Sequence, residues 1–119
     1  MKKLIVLSAS ALSVLVLVNC SSSKKAAAKT VEVPKSTYQA NLQTAIVGYC
    51  SPCHIPAKGG NKKPYDNYAN VKADIDEIIR RIELNPGERG FMPFKKQAKL
   101  SDSTIAVFKQ WKTDGLLEN

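Results

Sequence analysis

The sequence predicts an all-α domain of about three helices over residues 36–119. Three stretches place apolar residues three and four apart, the spacing of one helix face. No stretch alternates apolar and polar residues in the manner of a half-buried strand, and no segment repeats. All six prolines fall outside the three stretches, where they break no helical hydrogen bond.

A separate element precedes this domain. Met1-Lys2-Lys3 is basic, Leu4 to Val18 is apolar apart from Ser8, Ser10 and Ser13, and Asn19-Cys20 follows. A charged start, a short apolar core and a cleavage region make an export signal over residues 1–19. The competing reading is an uncleaved membrane anchor, although the run is shorter than the roughly 20 residues that span a bilayer as a helix. Residues 20–35 are small and polar with no apolar face, which is the composition of a flexible tether. A coil of that length typically reaches about 20–25 Å. The alternative is that Val31 and Val33 pack on the domain as an extended strap.

The first helix is predicted over residues 37–49, with Tyr38, Leu42, Ala45, Ile46 and Tyr49 on one face. The second is predicted over residues 67–83. Its stripe is Val71, Ile75, Ile78, Ile79 and Ile82, with Lys72, Asp76, Arg80 and Arg81 outside and Asp66 or Asn67 as cap. The third is predicted over residues 102–114. Ser101 is its N-cap, Asp102 favours its first turn, Ile105, Phe108 and Trp111 point inward, and Gly115 ends it in a left-handed cap. The connections, residues 55–65 and 84–100, are long for a small domain, and long loops without secondary structure are usually functional.

The first helix runs into Cys50-Ser51-Pro52-Cys53-His54, which contains the chain's only histidine. Histidine directly after Cys-x-x-Cys is the attachment signature of a c-type haem. On a helical turn, cysteines at i and i+3 share a face with the histidine at i+4. Two thioether bonds to the haem vinyl groups can then hold the ring edge while the imidazole reaches the iron. Structural zinc usually requires four protein ligands, and this motif supplies three. A thioredoxin-like redox pair belongs in a βαβ setting, and no strand is predicted. Met92 is the only methionine besides Met1. It is the natural second axial ligand, because His/Met ligation is the cytochrome c arrangement. A gap-filling core methionine is the bland alternative, but Met92 lies in a loop beside Pro93, with Phe91 and Phe94 predicted to keep its thioether dry.

On these residues the chain resembles small class I bacterial cytochromes c. The resemblance rests on Cys50-Ser51-Pro52-Cys53-His54, on Met92-Pro93 and on the closing helix with Phe108, Trp111 and Gly115. It covers the chain from Thr37 onward. It implies a small cytochrome c fold, helices wrapped around one covalently attached haem c on Cys50 and Cys53, and an iron ligated by His54 and Met92. Two departures follow from the sequence. Leu42 and Ile46 stand where many members have a glycine and an aromatic residue, so the crossing of first and last helices is expected to be wider or rotated. No glycine-proline pair supplies the carbonyl that orients the proximal imidazole; Pro64 is the candidate acceptor and Pro56 the rival. Tyr65, Tyr68, Arg80, Arg89 and Trp111 are possible donors to the haem propionates, although tyrosine and tryptophan at helical spacing are more often core.

Leu17-Val18-Asn19-Cys20 resembles a bacterial lipoprotein signal, which implies lipid on Cys20 and a membrane anchor on the periplasmic side. Lipidation would also account for the third cysteine, which haem attachment leaves over. A free or mispaired Cys20 is the alternative. Ser21, being non-acidic, slightly favours the outer membrane.

The formal net charge is +8. No nucleic-acid motif accompanies it, so the basic surface is expected to steer docking onto acidic protein partners or anionic lipid. Lys58, Lys62 and Lys63 follow the haem motif, and Arg89, Lys95, Lys96 and Lys99 flank Met92. Together they would ring an exposed haem edge, or form only a solvated face. The expected activity is electron carriage by a mono-haem protein that is not an enzyme. The alternatives are a haem enzyme or gas sensor with Met92 off the iron, and a relay module of a larger redox complex.

Overall fold

The computed structural model describes residues 32–119. The export signal, Cys20 and the tether up to Val31 lie outside the described residues. Glu32, Val33, Pro34 and Lys35 are exposed and irregular, and Val33 is 81 % exposed, so it does not serve as a packed strap.

The described chain is all-α. A π-helical turn, Tyr38–Leu42, runs directly into α1, Gln43–Cys50. The side chain of Thr37 caps this start by accepting from the Ala40 amide at 3.2 Å. The Gln43 amide donates to the Tyr38 carbonyl, and this wider first turn brings Tyr38 and Leu42 to the core side together. Leu42 and Ile46 are fully buried. Tyr49 departs from the predicted face: it is half-exposed at the rim, one residue before the helix ends.

Helix α2 spans Tyr68–Glu83, and its predicted stripe of Val71, Ile75, Ile78, Ile79 and Ile82 is buried throughout. Asn67, not Asp66, is the cap and accepts from the Asn70 amide at 3.0 Å. Helix α3 spans Asp102–Thr113, with Ser101 accepting from the Thr104 amide and Ile105, Phe108 and Trp111 buried. Beyond α3 the Leu116 amide returns to the Trp111 carbonyl and the Gly115 amide to that of Lys112, the paired bonds of a Schellman cap. Gly115 has φ +101°, which needs a residue without a Cβ.

The C-terminal tail then folds back onto the start of the first helix. The Leu117 carbonyl accepts from both the Tyr38 amide, at 2.8 Å, and the Trp111 indole Nε1, at 2.7 Å. Tyr38, Tyr68 and Trp111 pack together at centroid distances of 5.9–6.2 Å, with Tyr68 edge-on to both of the others. The π-helical turn at Tyr38–Leu42 packs against α3. α3 also packs on α2, where Lys109 pairs with Glu83 and Lys112 with Asp76. Among the described residues no helix is long and apolar enough to cross a membrane.

Candidate functional site

α1 ends at Cys50, and the chain turns at once. Ser51 leaves the helix with extended backbone, and the His54 amide still reaches the Cys50 carbonyl at 3.0 Å. Cys50, Cys53 and His54 are thus gathered by one tight turn at the carboxyl end of α1. Both cysteines are unbridged and half-buried. Cys50 packs against the main core cluster, and burial pushes its thiol up to about 11.

The loop after the motif closes under the turn. A short 3-10 turn, Pro56–Lys58, reverses the chain. The Gly60 amide bonds to the Ile55 carbonyl and the Lys62 amide to the Cys53 carbonyl. A Cβ at Gly60 would lie 2.3 Å from the Pro52 carbonyl oxygen and 2.7 Å from that of Cys53. Only glycine permits this approach, which holds the motif's backbone in place.

The residues around His54 correct one expectation. Its Nδ1 lies 2.7 Å from the carbonyl oxygen of Lys63, not of Pro64 or Pro56. A carbonyl only accepts, so Nδ1 is the N–H donor of this bond and Nε2 is the ring nitrogen left for another partner. Pro64 has no amide hydrogen and biases the preceding residue toward extended backbone. The residues on either side of it serve His54 instead: Lys63 through its carbonyl, and Tyr65 through its amide, which donates to the His54 carbonyl at 2.8 Å. The buried Tyr65 ring stacks on the imidazole at 4.6 Å and 10° between planes.

The Tyr65 hydroxyl donates to Asp74 on α2, whose other oxygen accepts from Lys63 Nζ at 2.6 Å. Burial and the bond to Asp74 raise the Tyr65 pKa. Burial works to raise the Asp74 carboxyl as well, but the hydrogen bonds from Lys63 and Tyr65 and the Lys63 charge outweigh it, so the group falls below its usual range. Neither Asp74 nor the stack was read from the sequence. The available signal was positional: Asp74 stands three residues after Val71 and four before Ile78, a carboxylate at the edge of an apolar stripe.

Met92 lies in the other connection. Its amide donates to the Arg81 carbonyl near the end of α2 at 3.2 Å, and its half-buried side chain packs on the same core cluster as Cys50. Phe91 is buried beside it, whereas Phe94 is 80 % exposed and does not shield the thioether. Downstream, residues 96–101 face Tyr49 across an open groove of about 360 Å³. That groove brings the Met92 loop to the residue before Cys50. Neither this groove nor the shallow one beside Val47 is lined by Cys50, Cys53, His54 or Met92.

Four of the possible propionate donors are engaged elsewhere: Tyr65 with Asp74, Tyr68 with the Leu116 carbonyl, Arg80 with Glu77, and Trp111 with the Leu117 carbonyl. Arg89 is exposed. Lys63 is tied to Asp74, which removes it from the free basic surface, while Lys58, Lys62, Lys95, Lys96 and Lys99 are exposed. Among the described residues no three His, Cys, Asp or Glu side chains gather as a metal cage.

Among the described residues a small set of side chains could hold a cofactor. It offers two unbridged thiols in one turn, an imidazole whose Nδ1 is already occupied, and a thioether on the other long connection. Comparisons of the chain with protein-family models, with curated proteins and with solved structures find no match.

Proposed function

We propose that the chain is a mono-haem c-type cytochrome with a small cytochrome c fold, acting as an electron carrier. The observation that carries the reading is the state of His54. Within the turn that holds two unbridged thiols, its Nδ1 is fixed on the Lys63 carbonyl, which leaves Nε2 as the nitrogen that could ligate a metal. Cys50 and Cys53 would hold haem c by adding each S–H across a vinyl group. His54 Nε2 and Met92 Sδ would ligate its iron. When bound, the haem iron supplies one-electron transfer between ferric and ferrous states.

The chain's own residues set the conditions. Lys63 and Tyr65 hold the imidazole from one edge and one face. The Arg81 carbonyl holds the Met92 backbone, so the loop position does not depend on the thioether alone. Two protein ligands would leave no open position for a substrate, which favours a carrier over an enzyme or a gas sensor. Cys20 is the lipidation site in this reading, with the domain tethered to a bacterial membrane facing the periplasm. The exposed Lys62, Lys95, Lys96 and Lys99 would meet an acidic redox partner.

The test is the mass and optical spectrum of protein made in a host that matures c-type cytochromes. Covalent haem, low-spin spectra, a long-wavelength sulfur-to-iron band and indifference to carbon monoxide are expected. High-spin iron that binds carbon monoxide would shift the reading to an enzyme or sensor with Met92 off the metal, and a chain without haem would overturn it.

A further inference from the structure

One carboxylate on α2 serves both groups that fix the His54 ring. Asp74 has a side chain only 15 % exposed. Its Oδ1 takes the Lys63 ammonium at 2.6 Å, and its Oδ2 takes the Tyr65 hydroxyl. Lys63 presents its carbonyl to His54 Nδ1 at 2.7 Å, and Tyr65 lies flat on the imidazole. These contacts close a ring: His54 to Lys63, Lys63 to Asp74, Asp74 to Tyr65, and Tyr65 back to His54.

We propose that Asp74 is the positioning residue of His54, holding Lys63 and Tyr65 together so that the imidazole keeps its Nδ1–H bond and one fixed rotation. The torsion that turns an imidazole is broad and roughly two-fold when nothing restrains it. Here rotation would break the bond to Lys63 and lift the ring off Tyr65. Both restraints sit on one loop, and Asp74 ties that loop to the long, well-buried α2. The carboxylate is ionised at neutral pH, since the two donors and the Lys63 charge outweigh both its burial and the neighbouring Glu77. The use made of Nε2 rests on the haem reading, whereas the clamp is a property of the chain itself.

The alternative is that Asp74 merely fastens the loop and leaves the imidazole indifferent. The test follows solvent exchange of the His54 Nδ1 proton, by NMR of the full chain as purified with ¹⁵N-labelled histidine. The variants are Asp74→Asn, Lys63→Met and, as control, Asp76→Asn, whose carboxylate pairs with Lys112 on α3. Lys63→Met keeps the backbone carbonyl and removes only the ammonium that Asp74 holds, so it decides the matter if Asp74→Asn does not fold. Exchange about fivefold faster is expected in Asp74→Asn and Lys63→Met, the effect of one net hydrogen bond's worth of loosening, with no change in Asp76→Asn. Folded Asp74→Asn or Lys63→Met with wild-type exchange would overturn the proposal, even if its unfolding temperature falls. The mass of the same sample reports attached haem separately, so a chain without haem would remove the functional reading while the exchange rates still judge the clamp.

Discussion

Gly60 lies directly beneath the Pro52 carbonyl, so close that a Cβ there would fall 2.3 Å from the oxygen. The other atoms it would meet, the Cys53 carbonyl at 2.7 Å and the Ile55 amide at 2.8 Å, are also backbone. No side chain can move aside, so Gly60→Ala must displace the Cys50–His54 turn itself. A loss of about 1–3 kcal/mol is expected from overpacking. Each kcal/mol should lower the melting temperature of a domain this size by about 4–8 °C. Thermal unfolding checks the stability term, and the yield of covalent haem in the maturing host should fall with it.

That contact illustrates where the sequence was readable. The α2 stripe and the α3 face were legible because an amphipathic period repeats over several turns and burial follows from it directly. Ser101 and Gly115 were legible because cap chemistry is local. The surroundings of His54 were not, because they depend on how a loop with two glycines and two prolines doubles back. Nothing in the residue string distinguishes the carbonyl of Lys63 from that of Pro64 as the partner of Nδ1. Tyr49 and Phe94 failed for a different reason. Helical spacing and proximity to Met92 suggested burial, but Tyr49 sits at the last turn of α1 on the rim of an open groove, and Phe94 lies beyond the buried Phe91 and is exposed.

Asp74 gives a pH dependence of definite sign. Its folded pKa lies below the ordinary 3.8, because the donors and charge around it outweigh desolvation. The stabilisation is therefore fully present above about pH 4 and is lost as pH falls through the folded value. At neutral pH, Asp74→Asn should cost about 1.5–3 kcal/mol, the range for hydrogen bonds to a charged group. The gap between wild type and variant should narrow as the pH is lowered below 4. Urea midpoints of both proteins at neutral and acid pH check this, and a constant gap would contradict it.

Trp111 is completely buried, and its indole nitrogen donates to the Leu117 carbonyl, which also accepts from Tyr38. It therefore joins α3, the tail and the first helix at one point. Trp111→Phe removes the donor but leaves the Tyr38 amide on that carbonyl, so no acceptor is orphaned. The expected cost is about 1–3 kcal/mol from the lost bond and ring volume together. Amide exchange at Tyr38 and Gln39, which pair with the tail, should quicken more than exchange in the middle of α2.

The free basic surface lacks Lys63, which is committed to Asp74. Charge-neutralising changes at Lys62, Lys95, Lys96 and Lys99 should therefore slow association with an acidic redox partner while leaving stability within about 0.5 kcal/mol, as at other exposed sites. The slowing should be greatest at low salt and shrink as ionic strength shortens the range of the field. Stopped-flow electron transfer at two salt concentrations checks it, and equal rates at low salt would remove the docking role.

Met92 separates a ligand from a packing residue. Its backbone is held by the Arg81 carbonyl, so Met92→Ala should leave the loop in place. Its side chain is only half-buried, so as a packing residue it would cost about 1–2 kcal/mol on truncation, less than a fully buried methionine. As an axial ligand it would do more than that. The long-wavelength sulfur-to-iron band should vanish, carbon monoxide should bind, and the reduction potential should fall, because thioether ligation raises it. Optical spectra and potentiometry of the haem-loaded variant check these three together. A stability loss of the packing size with an unchanged spectrum would mean that Met92 fills space and that the carrier reading needs another sixth ligand. Met92 is the chain's only methionine besides Met1, so no other methionine in the domain could supply that band.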